Sequence, residues 1–532
     1  MRVWICATVA ALVMTVAAVA ERASVFTPSP RQSFDFSSGW RFHTGDTPDA
    51  SGAGFAGDDW QTVTLPHAFN QTEAFARDIH ALSTGIIWYR KHFRLPASFR
   101  PGEATGHAFL EFQGVRQAAE VWVNGTEVGL NENGVMAFGF EITRALHPGD
   151  NVVAVRIDNN WKYRERSTGS PFQWSDQNFY ANYGGINKPV RLHLTGASYQ
   201  TLPLYSNLGT TGTYVWAGDF DLAHQAATLH AETELHSSQA QTVRYSAVLR
   251  DATGKVVATL DGGKVALKAG NNTLSVQQRL SGLHFWSWGY GYLYTVTTII
   301  SDRNGKVLDA VDTRTGFRQT AFEHGVFALN GRVLMLKGYA QRTTDEWPAV
   351  GLSVPPWLSD FTDGLITGAN GNLVRWMHVT PSRQQIESCD RIGLISNLPA
   401  GDSEGDVIGP RWNQRAAVMR DAIIYNRNNP SVIFIESGNK GISETHMAEM
   451  KAIRDQYDPH GGRAIGSREM LDSKIAEYGG EMLYINKSAG KPLWAHEYSR
   501  DEAPRTYQDE FTPPYAKDRP DYNRTAESMA VT

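Results

Sequence analysis

The sequence predicts a multidomain β plus α/β protein, with two β-sandwiches followed by a (β/α)8 barrel. Three observations carry this. From about residue 30 to 198, and again from 199 to 316, short runs alternate in period two between Gly, Asn, Asp and Pro turns, the pattern of half-buried strands. After Phe317, short apolar strands alternate with helical stretches, as parallel strands joined by helical crossovers do. The 532 residues, 41% hydrophobic and 20% charged, suffice for three or four domains of roughly 150 residues each.

Residues 1–20 read as a secretory signal. Arg2 supplies the positive region, Val3 to Val16 the apolar stretch and Ala18-Val19-Ala20 the small-residue cleavage site. Glu21-Arg22 ends the run too early for a membrane anchor, and no other stretch is long enough to span a bilayer. The expected location is periplasmic or secreted, with no membrane partner after cleavage. Of the two cysteines, Cys6 falls in the signal. Cys389 is therefore the one thiol of the mature chain, and its apolar helical setting predicts a packing role. A net charge of -5 argues against nucleic acid as a partner.

In the first sandwich, Phe109 to Phe112 alternates in period two, and Ala119 to Val123 runs into Asn124-Gly125, a hairpin signal. Asn151 to Ile157 and Pro189 to Leu194 are further strands. The second sandwich shows alternating runs at Tyr245 to Leu249, Lys255 to Leu260 and Tyr292 to Ile300. It has no cluster of reactive side chains and reads as a spacer. In the barrel, the strands are expected at Val333 to Lys337, Asn372 to His378, Gly393 to Ser396, Val432 to Ser437, Arg463 to Ser467, Met482 to Asn486 and Pro492 to Glu497. Helical patterns fall at Pro355 to Thr367, Arg411 to Tyr425 and Glu444 to Gln456. Only 35 residues follow Glu497, and they are polar, with Pro504, Pro513, Pro514 and Pro520. The expectation is an incomplete barrel (residues 317–532) whose C-terminal part is missing.

Barrel chemistry sits at the carboxyl ends of the strands. The last expected strand delivers Glu497 there, within His496-Glu497-Tyr498. The fourth delivers Glu436, Asn439 and Lys440, and the second delivers Arg375 and His378. These segments resemble glycoside hydrolase family 2, the β-galactosidase, β-glucuronidase and β-mannosidase group. Val121 to Gly125, Leu65-Pro66-His67 and Tyr183-Gly184-Gly185-Ile186 resemble its sugar-binding jelly roll. Residues 199–316 resemble its immunoglobulin-like domain. Asn372, Val374-Arg375 and His378, with Asn426-Arg427-Asn428-Asn429-Pro430-Ser431, resemble its catalytic barrel.

The resemblance implies an exported hydrolase, β-galactosidase-like, that cleaves β-linked sugars of an oligo- or polysaccharide by a retaining double displacement. Such chemistry needs two carboxyl groups about 5–5.5 Å apart, one attacking the anomeric carbon and one protonating the leaving oxygen. Glu497 aligns with the nucleophile, while a strand-end ion pair with Arg375 or Arg500 is its bland alternative. The family ends the fourth strand with Gly-Asn-Glu, whose Glu is the acid/base. Here the same place reads Gly438-Asn439-Lys440. A non-catalytic carbohydrate-binding descendant is therefore the alternative function, with Lys440 available to an acidic sugar. The first choice of replacement acid/base is Glu436, whose alternative is a buried pair with Arg375 or Lys440. Glu404, in the acidic loop 401–406, is the second choice.

Arg375, His378 and Asn439 are expected to position the sugar, Asn439 at its 2-hydroxyl. Trp494, with Trp347 and Trp376, lies where it can stack on a ring or simply pack. Tyr339 to Thr343 and Asn397-Leu398-Pro399 depart from the family runs expected there. No cofactor is required. No Cys/His cluster reads as zinc and no glycine-rich loop as a nucleotide site. An assisting cation and an oligomer both stay open.

Overall fold

The computed structural model describes residues 29–76, 81–169, 182–343, 350–400, 405–481 and 491–495. The expected signal, residues 1–20, lies outside them. No helix among the described residues is long and apolar enough to cross a membrane.

The first unit packs a six-stranded antiparallel sheet against a four-stranded one. Alternation decides which side chains face inward. Trp40, Tyr89, Val121, Val153 and Val155 from one sheet meet Leu110, Phe112, Phe138 and Leu192 from the other, all nearly inaccessible to solvent. Asn124-Gly125 joins Ala119–Val123 to Thr126–Asn131 with φ of 53° and 81°. Both residues are left-handed, as a tight hairpin turn matching the strand twist requires.

The second unit is again two four-stranded antiparallel sheets, with Leu229, Ala231 and Leu235 facing Tyr245, Ala247, Leu249 and Val296. A small three-stranded sheet, Thr320–Glu323, Val326–Leu329 and Arg332–Val333, leads into the third unit.

There, seven parallel strands form a curled sheet in sequence order. We label them β1 (Gly338–Arg342), β2 (Leu373–Met377), β3 (Ile395–Pro399), β4 (Val432–Glu436), β5 (Ala464–Arg468), β6 (Tyr478–Glu481) and β7 (Leu493–Ala495). Four helices cross between the first five: α1 (Pro356–Gly368), α2 (Arg383–Ile392), α3 (Pro410–Asn426) and α4 (Glu444–Tyr457). Continuous apolar runs such as Val432-Ile433-Phe434-Ile435 suit strands buried on both faces. Trp412, Val418, Met419, Ala422 and Ile423 of α3 pack into the same core as Val374, Trp376 and Ile435.

Two expected strands are corrected. The first parallel strand is Gly338–Arg342, because Val333 pairs in the antiparallel sheet and Asn372 Oδ1 accepts from the Lys337 amide (2.8 Å), which sets Gly338 opposite Leu373. The sixth is Tyr478–Glu481, ahead of Met482 to Asn486, which lies outside the described residues. Its Gly479-Gly480 pair hides the strand from an apolar-run reading. The glycine is required, since a Cβ on Gly479 would stand 2.8 Å from Leu471 Cα. Cys389 is fully buried in α2, as a packing residue should be.

Among the described residues, β1 and β7 each have one strand neighbour, so the sheet has two edges. On α1, which packs against β2 and α2, Trp357, Phe361 and Leu365 are 64%, 51% and 58% exposed. Their spacing of four places them on one helix face.

Candidate functional site at the strand ends

The carboxyl ends of β2, β3 and β4 meet in one buried polar network. Arg375 of β2 donates from Nε to Glu436 Oε2 (2.8 Å) and from Nη2 to Glu436 Oε1 (2.5 Å). The same Nη2 donates to Asn439 Oδ1 (2.9 Å). Asn397 of β3 donates from Nδ2 to Glu436 Oε2 (3.0 Å), while its Oδ1 accepts from the Trp376 amide (2.7 Å). The Arg375 and Glu436 side chains are 2% and 1% exposed. Behind them, Tyr478 donates to the Ile435 carbonyl (3.1 Å), and burial together with the Glu436 charge keeps its phenol protonated.

In this geometry Glu436 takes the other arrangement expected for it, the buried pair with Arg375. A general acid must carry a proton and face the leaving group. Glu436 instead directs both oxygens at N–H donors, in the forked arrangement of a guanidinium–carboxylate pair. The pair holds Arg375 in place, with its Nη2 also on Asn439 Oδ1.

β4 ends at Glu436, so Lys440 lies beyond the strand. It lies in a bend with its side chain exposed. The bend is pinned from β5, where Ser467 Oγ sits 2.6 Å from the Gly438 carbonyl and 2.7 Å from that of Lys440. Arg415 of α3 is buried beside the bend, and the buried Arg468 at the end of β5 has its backbone carbonyl against Gly441. A Cβ on Gly438 would stand 3.7 Å from Arg415 Nη1.

His378 is buried just past the end of β2. Trp376 is core, with its indole N–H donating to Ser396 Oγ (3.0 Å). Trp494 lies on β7, its side chain outside the description. Glu497, Glu404 and Trp347 lie outside the described residues. The described part of the acidic loop is anchored, because Asp406 accepts from the Ser443 amide (3.0 Å) and contacts His446 Nδ1 (2.7 Å) at the start of α4. Among the described residues, no group of three or more His, Cys, Asp or Glu could hold a metal ion. Asn397, Ser467, Arg415 and Arg468 were not expected here. The available signal was a polar residue inside a buried strand, as in Ile395-Ser396-Asn397-Leu398.

The run Asn426 to Ser431 works elsewhere, as the joint between the second and third units. Asn428 Oδ1 accepts from the Val215 amide (2.9 Å) and its Nδ2 donates to the Thr213 carbonyl (2.8 Å). Arg427 donates to the Thr211 carbonyl (2.7 Å). Asn429 Nδ2 and the Ser431 amide donate to Asp390 (2.6 and 3.0 Å), whose carboxyl burial pushes up to about 6 against these bonds.

Two family profiles match the chain: "Glycosyl hydrolase 2 galactose-binding domain-like" over residues 66–200 and "Glycosyl hydrolases family 2" over 214–318. A β-glucuronidase from Formosa agariphila is 32% identical over 509 residues, 92% of this chain and 51% of that protein. The chain belongs to glycoside hydrolase family 2.

Other relatives of this family 2 chain include the β-galactosidase BoGH2A of Bacteroides ovatus, 29% identical over 78% of the chain and 47% of that protein. The solved structure of a family 2 β-glucuronidase superimposes with a TM-score of 0.81 at 30% identity, covering 88% of this chain and 50% of that one. The chain spans about half the length of these relatives.

Proposed function

We propose that this family 2 chain is an exported retaining β-glycosidase for a β-linked uronoside, with Glu497 as nucleophile and no carboxylic acid at the usual proton-donating position. The observation that carries the reading is the Arg375–Glu436–Asn439 fork, which fixes Asn439 beside the exposed Lys440 at the strand ends. Export rests on the N-terminal sequence pattern.

In this mechanism Glu497 attacks the anomeric carbon as the glycosidic C–O bond breaks. The leaving group departs with the bonding electron pair, and a covalent glycosyl ester remains for water to hydrolyse. Arg375, oriented by Glu436, holds Asn439 towards the sugar's 2-hydroxyl. With Lys440 at the donor position, departure depends on how well the leaving group carries negative charge unaided. The uronoside preference over a galactoside is supported by the cationic groups Lys440 and Arg415 at the bend and Arg468 at the end of β5, and by the names of the β-glucuronidase relatives.

A second reading, a carbohydrate-binding protein without turnover, is favoured by Lys440 itself. The two separate in an assay of the purified chain on 4-nitrophenyl β-D-glucuronide and β-D-galactoside, with Glu497→Gln alongside. Turnover of the glucuronide that disappears in the variant supports the glycosidase. Binding without turnover in a folded sample supports the second reading.

A further inference from the structure

A cavity of about 410 Å³ lies on the far side of the third unit from the strand-end site, between the second unit and the small three-stranded sheet. Its floor is apolar, formed by Leu222, Leu283 and Leu329. Its wall is aromatic: His284 and Tyr290 both stack on Tyr292, at 4.3 and 5.7 Å between centroids. His284 Nδ1 and Tyr290 Oη are 2.8 Å apart, which fixes both rings. At the rim stand the exposed Gln225 and Arg332, and Arg332 makes no ion pair among the described residues.

Tyr290 is 45% exposed and Trp288, at the tip of the same turn, 39%. The turn is rigid. Ser287 and Tyr290 exchange backbone hydrogen bonds at 3.0 Å, Gly289 donates to the Gly393 carbonyl (3.0 Å), and the Trp288 indole donates to the Gly371 carbonyl (3.2 Å). Gly371 and Gly393 precede β2 and β3, so the aromatic turn is seated at the amino ends of the strands. A Cβ on Gly291 would meet the Arg391 carbonyl at 2.1 Å, so that approach admits only glycine.

We propose that this cup is a second carbohydrate site, separate from the strand-end site, which takes a uronate-bearing residue of a polysaccharide chain. A pyranose ring has an apolar C–H face and a rim of hydroxyls. The Tyr290 ring and the leucine floor match the face, and Gln225 matches the rim. The guanidinium of Arg332 suits a carboxylate, which it can hold with two parallel hydrogen bonds. The volume falls within the range of small-ligand sites, about 300–1,000 Å³. Because the wall is held before any ligand arrives, little ordering cost attends binding.

Affinity electrophoresis of the full chain in native gels containing polygalacturonate, or a neutral β-galactan, tests this without any need for turnover. Wild type and Glu497→Gln are expected to be retarded equally by polygalacturonate. Tyr290→Ala and Arg332→Ala are expected to bind at least tenfold more weakly. Arg332 is exposed and makes no ion pair among the described residues, so its variant should melt with wild type and the loss cannot be ascribed to unfolding. Undiminished retardation of Arg332→Ala, equal retardation by the neutral galactan, absence of retardation in wild type, or loss in Glu497→Gln alone would each overturn the assignment.

Discussion

Removing the Arg375 guanidinium would leave the Glu436 carboxylate buried without its counter-charge. Breaking a buried pair from one side typically costs about 3–5 kcal/mol. Arg375→Ala is therefore expected to lower the unfolding free energy by that amount and move the urea midpoint down, and Arg375→Lys to recover only part of it, because an ammonium cannot make the forked contact. An unchanged midpoint would mean that the pair is not buried in solution. Sequence reasoning reached Arg375, Glu436 and Asn439, and also the alternative that Glu436 pairs with Arg375. It could not choose, since the choice depends on the neighbouring strands that bring Arg375 and Asn397 up to the carboxylate. Asn397 stood out only as a departure from the family run, because its contacts bridge two neighbouring strands, which a single strand's pattern does not reveal.

At the scale of elements, apolar period and length revealed β4, α3 and α4 to within a residue or two. The glycine-containing β6 was shifted because backbone approach, not side-chain burial, defines it. α2 was seen only around Cys389, although Ser382 and Gln385 form a capping box at its start, a signal legible three residues apart. α1 presents an apolar face to solvent along Trp357, Phe361 and Leu365. Exposed apolar faces of this kind promote association. Replacing all three with Gln should reduce fluorescent-dye binding and self-association in light scattering. The melt should move little, because surface substitutions usually change stability by less than about 0.5 kcal/mol each. A large fall in melting temperature would show that the face is covered.

At the scale of the whole molecule, the first and third units meet at Glu111. Its carboxylate contacts His193 Nε2 (2.7 Å) and accepts from the Tyr425 hydroxyl (2.7 Å), with the Arg383 guanidinium 5.6 Å from the Tyr425 ring centre. Burial alone would raise this carboxyl, but His193, Arg383 and Tyr425 outweigh it and hold it down to about 2. A depressed folded-state value means that the unfolded chain binds more protons between the two values, so stability rises with pH across that window. The contribution is complete above about pH 4.5 and is lost as pH falls towards 2. It amounts to about 3 kcal/mol at 1.36 kcal/mol per pH unit. The stability difference between wild type and Glu111→Gln should therefore be largest at pH 7 and shrink steadily at pH 3.5. A difference independent of pH would contradict the ionised lock. The sequence showed the three units through their changes of period, but the contacts that join them, from Glu111 to Asn428, link residues hundreds of positions apart and have no local signature.

If the proposed glycosidase works with Lys440 where a proton donor is usual, its rate must depend on the leaving group. The direct test is kcat/KM for 4-nitrophenyl β-D-glucuronide and methyl β-D-glucuronide, in wild type and Lys440→Glu. General acid catalysis contributes about 10²–10⁴-fold, mostly to poor leaving groups. Wild type should turn over the aryl substrate and barely touch the methyl one, and Lys440→Glu should raise the methyl rate by a factor in that range while changing the aryl rate far less. Efficient wild-type cleavage of the methyl glycoside, or no gain in the variant, would contradict the account.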